Sequence, residues 1–448
     1  MANPSSAELT LTTLDRVSHP LRGTHDDYDE LLKMVAGRRI VMIGEASHGT
    51  HEFYRERGRI TKRLIDELGF NAVTIEGDWP DAYLVNRYVT GTDETGDARS
   101  ALGGFTRFPN WMWRNRDVVS FLQWLRAHND AFTDWEHKVR FYGLDLYSLR
   151  TSIEWVVTYL DAVDPRAARE ARERYACFDH VAREGQTYGY ALARGALDPC
   201  EDQVVEQLLE LRRHGDAYLR RDGVLAQDEQ FCAEQNATLV HDAEEYYRQM
   251  FRAEVSSWNL RDLHMANTLD AIVHHLGRSG SAAKVVVWAH NSHVGDARAT
   301  DLGRRGELNI GQLARQRYPH DTALLGFTTF SGEVTAASQW GGDAERKRVR
   351  DALDGSHESL LHRTARDNFW IATGDVAQDP LLSQERLARA IGVIYRPESE
   401  RQSHYLRTNL TRQFDVVIHL DHTSALEPLD RTTSWDAGEP AETYPSGL

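Results

Sequence analysis

The sequence predicts an α/β fold in which a mostly parallel central sheet is flanked by helices and carries a helical insertion. Short runs rich in β-branched residues recur along the chain, and several of them end in polar residues. The runs are continuously apolar rather than alternating, as is typical of strands in parallel sheets that are covered by helices on both faces. They span residues 38–48, 70–78, 139–147, 284–293, 322–330, 388–396 and 413–421.

The first two runs frame a strand–helix–strand unit. Between them Phe53, Ile60, Leu64 and Leu68 recur at helical spacing, and Gly69 follows as a helix stop. The whole unit takes about 40 residues, the size expected of a βαβ crossover. It therefore predicts parallel strands with a helix packed across them.

Residues 149–283 differ in composition from the rest, being rich in Arg, Glu, Ala and Leu in helical patterns. We interpret them as a helical insertion in a discontinuous α/β catalytic core that comprises residues 1–148 and 284–430. Such an insertion either covers a substrate cleft or only packs against the fold, and the sequence leaves both open. Residues 431–448, rich in Pro, Gly, Thr and acids, predict a flexible tail.

Charge and cysteine usage exclude several classes of protein. The 448 residues include 52 Lys and Arg against 68 Asp and Glu, a net charge of −16, which argues against partners that are nucleic acids or anionic membranes. Cys177, Cys200 and Cys232 form no CxxC pair, which argues against a disulfide scaffold and a thiolate zinc site. With neither a signal-peptide pattern nor a membrane-length apolar run, we expect a cytoplasmic protein of undetermined oligomeric state.

Polar residues follow four of the predicted strands where each strand ends. Because ligands of open α/β sheets bind outside the carboxyl ends of the strands, parallel neighbours would bring these side chains to one rim. The candidates are Glu45 and His48 after the first strand, Glu76 and Asp78 after the second, Asp145 and Tyr147 after the third, and His290 and His293 after the fourth.

The segment GEASHGTHEF suggests acid–base chemistry. A histidine such as His48 accepts a proton from water or from a substrate hydroxyl, and a carboxylate such as Glu45 orients the ring. The chain has neither a G-x-S-x-G elbow nor an HExxH motif. Among Arg55, Arg57 and Arg59 on the following helix, we select Arg57 as the cation that faces the site, although a helical arginine is by default a solvated surface residue.

Two other segments have competing interpretations. Glu76 is assigned to the site, whereas Asp78, directly before Trp79 and Pro80, is interpreted as the cap of the next helix. Segment 97–117 concentrates aromatic residues among Gly, Pro and Arg, which suits either a ligand-binding wall or a plug under a long connection. Its aromatic residues are Phe105, Phe108, Trp111 and Trp113.

These segments resemble the erythromycin esterase family. The resemblance lies in IGEASHGTHEFYRERGRITKRLIDELGF, VTIEGDWPDAYLVNRYV, FYGLDLYS and VVVWAHNSHVGDA, and RAIGVIYRPESERQSHY and QFDVVIHLDHTSALEPL extend it. It covers residues from about 25 to 430. RFPNWMWRN and YRPESERQSHY look more like the succinoglycan-biosynthesis-like branch than the branch that inactivates macrolides.

The resemblance implies a hydrolase that cleaves a small-molecule ester or lactone by His-activated water, with no covalent serine intermediate and no cofactor. In that scheme His48 is the general base and Glu45 supports it. His290, His293 and Arg57 bind or polarise the carbonyl, and Glu76 holds the network together. We expect the substrate to contact His293, Asp145, Tyr147, Trp111 and Trp113.

Two alternatives remain open at this stage. One is a metallohydrolase, since imidazole and carboxylate groups are suitable ligands for a divalent metal that activates water. Its ligands would be Glu45, His48, Glu76, His290 and His293. The other is a binding or pathway-accessory protein whose site no longer turns over substrate.

Overall fold

The computed structural model describes residues 6–92, 96–179, 185–219, 224–251, 254–278, 280 and 282–438. The strands are β1 His19–Pro20, β2 Ile40–Ile43, β3 Ala72–Asp78, β4 Arg140–Asp145, β5 Val285–Trp288, β6 Thr322–Thr328, β7 Ser331–Ala336, β8 Glu345–Val349, β9 Asn368–Ala372, β10 Arg386–Arg389, β11 Tyr405–Thr408, β12 Val416–Leu420 and β13 His422–Thr423.

The helices follow in the same order along the chain. They are α1 Ser6–Val17, α2 Asp29–Val35, α3 His51–Leu68, α4 Trp79–Thr90, α5 Ala98–Ala101, α6 Arg116–Asp130, α7 Leu149–Val163, α8 Pro165–Tyr175, α9 Gly185–Ala193, α10 Glu201–Leu219, α11 Val224–Gln249, α12 Glu254–Gly277, α13 Asn291–Val294, α14 Asp301–Arg304, α15 Ile310–Arg317, α16 His357–His362, α17 Glu400–Ser403, α18 Leu410–Gln413 and α19 Thr433–Ala437.

A large sheet organises the fold, and its strand order is β1-β9-β12-β6-β2-β5-β3-β4. Strands β12, β6, β2, β5, β3 and β4 run parallel, whereas β9 pairs antiparallel with β12 and β1 antiparallel with β9. This mostly parallel sheet flanked by helices confirms the predicted fold class. The carboxyl ends of β2, β5, β3 and β4 are neighbours, so the residues that follow these strands meet at one edge.

The central strand β2 shows why the apolar runs do not alternate. Ile40 and Met42 belong to one buried hydrophobic cluster, whereas Val41 and Ile43 belong to another. Successive strand residues point to opposite faces of a sheet, so both faces of β2 are covered. The predicted helix is α3, which ends at Gly69 in the left-handed conformation (φ 69°).

Helices α7–α12 lie between β4 and β5, in the predicted insertion. Their buried side chains belong to the same hydrophobic cluster as Ile40 and Met42 of β2, so they cover one face of the central sheet. A disulfide joins Cys177 and Cys200 in this layer, with the two Cα atoms 6.0 Å apart. The sequence predicts no disulfide scaffold, and this single pairing arises because the fold brings residues 23 positions apart together.

Residues 388–396 do not form a strand of the main sheet, contrary to prediction. Arg386–Arg389 is β10, which pairs only with β11. The residues that follow cross the edge of the main sheet, where the amide of Ile391 donates to the carbonyl of Ala46 (2.8 Å). The apolar character of this run reflects burial of Ile391 and Tyr395 in a small cluster with β7 and β8.

The segment predicted to be a flexible tail is partly packed. Within residues 431–438, α19 places Trp435 against the core, and its indole donates to Oγ1 of Thr335 at 2.8 Å. The prediction is wrong for these residues because the buried indole ties the segment down, and residues 439–448 lie outside the described part. Among the described residues we find no helix with the length and apolar character needed to span a bilayer.

Candidate active site

A cavity of about 670 Å³ opens at the carboxyl ends of β2, β3, β4 and β5. Seven of the eight strand-end residues selected from the sequence line it, having been brought together by the parallel strand order. They are His48, Glu76, Asp78, Asp145, Tyr147, His290 and His293.

His48 and Glu45 form a buried pair. Nδ1 of His48 lies 2.8 Å from Oε1 of Glu45, and because a carboxylate only accepts, this nitrogen carries the proton and leaves Nε2 as an acceptor. The residue directly after His48 must be glycine, because a Cβ atom at position 49 would lie 1.8 Å from the backbone oxygen of Thr335. The close approach of these two backbones therefore holds the pair in place.

Arg57 lies behind this pair rather than on the cavity wall. It is fully buried, and its Nη2 is 2.9 Å from Oε2 of Glu45. Its guanidinium packs over the rings of Tyr54 and Trp288, at 4.2 and 5.1 Å from their centroids. Arg57 was expected to polarise a substrate carbonyl, but its side chain pairs with Glu45 instead of lining the cavity. Arg57 therefore positions the carboxylate that orients His48.

The two neighbouring arginines face elsewhere. Arg55 and Arg59 both pair with Glu56, at 2.8 Å each. Helical spacing directs these side chains away from Glu45. Of the three candidates, the selected Arg57 is the one directed at the Glu45–His48 pair.

His290 lies beside His48, with 4.8 Å between the ring centroids. Its Nδ1 accepts hydrogen bonds from the Ser292 hydroxyl at 2.8 Å and from the Ser292 amide at 3.2 Å. The proton of the neutral ring is therefore on Nε2. That Nε2 is buried without a hydrogen-bond partner. Burial is the largest cause that lowers the pKa of His290 to about 3, which keeps the ring neutral.

Arg261 of α12 ties two strand ends together. Its guanidinium makes a bidentate contact with Asp145 (3.0 and 2.6 Å) and also reaches Oε1 of Glu76 at 2.8 Å. Oε2 of Glu76 accepts the amide of His290 at 2.8 Å. Burial raises the pKa of Glu76, but His293 and Arg261 outweigh it and hold this pKa well below its usual range, so Glu76 is a carboxylate.

His293 lies between carboxylates on the other side of Arg261. Its Nδ1 is 2.9 Å from Asp262, and its Nε2 is 3.3 Å from Glu76 and 3.0 Å from Nη1 of Arg261. Burial lowers the pKa of His293, but Asp262 and Glu76 raise it to about 9. A protonated His293 can donate to both Asp262 and Glu76, whereas the contact with Arg261 is better suited to a neutral ring. Because two carboxylates face one arginine, the protonated form of His293 is favoured.

Sequence reasoning missed the contribution of α12. Trp258 stacks on His293 with ring centroids 4.6 Å apart, and Arg261 and Asp262 follow on the same helix. Their segment, SSWNLRDLHM, carries no motif. Arg261 meets Asp145 across 116 residues of chain and Glu76 across 185, so only the packed fold reveals the contact.

Asp78 does not cap α4 with its side chain, contrary to prediction. Its backbone occupies the N-cap position, but no side-chain cap hydrogen bond forms. Instead both carboxylate oxygens pair with Arg107, at 3.0 and 3.1 Å, because Arg107 offers a bidentate charged partner. Asp78 therefore lines the cavity.

The aromatic segment divides between wall and core. Phe105, Phe108 and Trp113 line the cavity, and the indole of Trp113 donates to the carbonyl of Glu76 at 3.2 Å. Trp111 packs instead in the buried cluster that contains Trp435, which corrects its assignment as a substrate contact. The long connection thus serves as both wall and plug.

Most side chains of the site that could bind a metal ion are already paired with other side chains. Glu45 and His48 are joined, Glu76 is held by Arg261, and His293 is held by Asp262. Within the described ranges, no three His, Cys, Asp or Glu side chains are grouped so as to hold a metal ion. As it stands, the arrangement is suited to proton transfer at His48 and hydrogen-bond donation beside it.

Comparisons with known proteins identify the family and the fold. Residues 65–423 match the family model described as erythromycin esterase. Erythromycin esterase type II of Escherichia coli is 22% identical over 439 residues, covering 92% of this chain and 96% of that protein.

Two solved structures share the fold. A crystal structure of a succinoglycan biosynthesis protein has a TM-score of 0.75 at 20% identity, covering 95% of this chain and 100% of that one. An erythromycin esterase mutant in its open conformation has a TM-score of 0.66 at 17% identity, covering 91% and 96%. Since the family model spans most of the chain, this protein belongs to the erythromycin esterase family.

Proposed function

We propose that the protein hydrolyses a carboxylic ester or lactone with water activated by His48, without a covalent serine intermediate. Membership of the erythromycin esterase family supports a hydrolase of that type. The observation that carries the proposal is the buried Arg57–Glu45–His48 chain facing His290 at the cavity. One ring offers an acceptor nitrogen and its neighbour offers a donor.

In the proposed step, Nε2 of His48 takes a proton from water as the water oxygen attacks the carbonyl carbon. Glu45 accepts from Nδ1 and stabilises the imidazolium that forms. The tetrahedral intermediate then collapses, the carbon–oxygen bond to the leaving alcohol breaks, and His48 returns its proton to the alkoxide. The products are an acid and an alcohol, so atoms and protons balance.

His290 is suited to stabilise the oxyanion. Its buried Nε2–H lies beside the base and makes no hydrogen bond of good geometry, although the backbone of Ala46 is close enough to act on the ring, so a substrate oxygen can supply a better acceptor. We propose that the substrate separates the two rings enough for Nε2–H to donate to the carbonyl oxygen. Arg261, Glu76 and His293 act as positioning residues, since Glu76 holds the backbone amide of His290.

The test is turnover of a panel of lactones, macrolides and acylated sugars by the wild-type protein and by His48→Asn. For any compound that is cleaved, we expect kcat to fall at least about 100-fold, the usual contribution of a general base. Circular dichroism and the urea midpoint check that the variant is folded. A folded His48→Asn protein with full activity would refute the assignment.

Ser292 offers a sharper test, because its hydroxyl touches His290 in a pair that resembles a nucleophile with its base. The contact is explained by capping, since the amide of Ser292 also donates to Nδ1 of His290. We expect Ser292→Ala to lose no more than about tenfold in kcat, the worth of one neutral hydrogen bond. Loss of about a thousandfold or more would identify a nucleophile instead.

Elemental analysis separates the metallohydrolase alternative from this proposal. The metallohydrolase would be favoured if protein purified without added metal contains stoichiometric metal, and if His48→Asn and His290→Asn lose both the metal and the activity. Tight ligand binding with no turnover across the panel would favour an accessory binding protein.

A further inference from the structure

We propose that Asp81 binds a positively charged amine or quaternary ammonium group of the substrate, so that the protein prefers cationic esters or lactones. The inference rests on the proposed hydrolase function and concerns the same cavity. Asp81 lies in the first turn of α4, three residues after Asp78 and five after Glu76. It lines the cavity with them.

Asp81 differs from the other acids of the cavity in having no partner. Arg107 forms an ion pair with Asp78, and Arg261 forms ion pairs with Asp145 and Glu76. Across the described ranges, neither carboxylate oxygen of Asp81 takes part in a hydrogen bond or an ion pair. Arg107, whose charge also acts on Asp81, is already paired with Asp78, so a cationic ligand can supply the direct countercharge that Asp81 lacks.

The carboxyl is also confined. Only 8% of Asp81 is exposed, and a Cβ atom at Gly104 would lie 2.8 Å from its Oδ1. Burial and the charge of Asp78 raise the pKa of Asp81 to about 7, although the charge of Arg107 opposes them. A buried unpaired carboxyl is costly, and a cation placed beside it both relieves that cost and keeps the group ionised.

Aromatic rings complete a site for an organic cation. Phe105, next to Gly104, lines the same cavity as Trp113 and Trp340. Ring faces attract ammonium groups, and sites for quaternary ammonium ligands combine rings with acids. An anionic substrate would meet Asp81 and Asp78 instead and be rejected.

The experiment compares two isosteric chromogenic esters. They are 4-nitrophenyl 4-(trimethylammonio)butanoate, which is cationic, and 4-nitrophenyl 5,5-dimethylhexanoate, in which carbon replaces nitrogen. The measured quantity is the ratio of their kcat/KM values for the wild-type protein and for Asp81→Asn. Asp301→Asn is the matched control, because it removes one negative charge beside Leu302 and Arg305 of the same cavity.

We expect the wild-type protein to prefer the cationic ester, and Asp81→Asn to reduce the ratio by roughly tenfold or more, mainly through KM. Asp301→Asn should change the ratio less than about twofold, because the charge of Asp301 is already paired with Arg305. A ratio that is the same in Asp81→Asn and in the wild-type protein would overturn the inference, as would a wild-type preference for the neutral ester.

If the wild-type protein cleaves neither ester, the proposed function fails for these substrates, and binding alone decides the inference. Calorimetric titration with 4-(trimethylammonio)butanamide, an analogue without the ester, then compares the same three proteins. Binding that is lost only in Asp81→Asn supports a cation site. No binding to the wild-type protein, or equal binding to all three, overturns it.

Discussion

Arg57 acts at the scale of single residues, through a carboxylate rather than on a substrate. Its ion pair with Glu45, 2.9 Å long and closed to solvent, fixes the group that orients His48. The guanidinium also packs over the rings of Tyr54 and Trp288. A buried cation beside Glu45 keeps this carboxylate paired, because opposite charges attract strongly in buried surroundings.

We therefore expect Arg57→Gln to lower kcat by about tenfold or more for any ester that is cleaved, because Glu45 is left as a buried carboxylate without its cation and no longer orients His48. Arg57→Lys keeps the charge and should retain more of the activity. A folded Arg57→Gln protein with the wild-type kcat would show that Arg57 serves packing alone.

At the scale of elements, α12 joins the helical layer to the catalytic edge of the sheet. Arg261 binds the ends of β3 and β4, and Asp262 binds the histidine that follows β5. The insertion therefore both packs against the sheet and furnishes the site. Neither of the two roles considered for it from the sequence describes it alone.

Removing Arg261 should destabilise the fold, because Glu76 and Asp145 would be left as buried carboxylates without their cation. For Arg261→Met we expect a loss of about 3–5 kcal/mol in the free energy of unfolding, measured with urea. Arg166→Met breaks an exposed pair with Glu170 and should cost less than about 1 kcal/mol. Equal effects of the two substitutions would mean that the Arg261 network is not structural.

The strand-end residues could be predicted because a parallel sheet converts chain order into spatial convergence. His48, Glu76, His290 and His293 follow apolar runs, and the fold places all four in one cavity. Trp111 could not be distinguished from Trp113 in this way, since two neighbouring indoles in a loop reveal nothing about which one faces the cavity. The hydrogen-bond and ion-pair partners of these polar side chains could likewise not be predicted from the sequence.

Other features depended on long-range packing. The run 388–396 has the composition of a buried strand, but its burial comes from crossing the sheet edge. Cys177 and Cys200 meet only because helices α8 and α10 are brought together in the insertion. Burial of Trp435 likewise requires the distant strand β7.

At the scale of the whole molecule, buried neutral histidines make stability depend on pH. Burial lowers the pKa of His290 to about 3 and those of His357 and His404 to about 4. Below the usual histidine pKa of about 6.5, the unfolded chain binds protons that these folded rings refuse. Stability is therefore lost as the pH falls from 6.5 toward 4.

Each such histidine contributes a slope of about 1.4 kcal/mol per pH unit in this range. His293 does not oppose the trend, because its pKa, raised to about 9, leaves it protonated in both states below pH 6. Asp81, whose folded pKa is about 7, opposes the trend by one proton in this range. We expect the urea midpoint to fall between pH 7 and pH 5, because three histidines outweigh one carboxyl, and His357→Gln to make the fall shallower. A midpoint that is constant over this interval would contradict the burial of these rings in neutral form.

The central claim is direct attack by water, and rapid-quench intact-protein mass spectrometry tests it most directly. The wild-type protein is mixed with the cationic 4-nitrophenyl ester, or with any better substrate from the panel, and quenched with acid during the first turnovers. We predict unmodified protein at every time point while nitrophenol accumulates. A transient mass increase equal to the acyl group, absent in Ser292→Ala, would contradict the claim and establish a covalent intermediate.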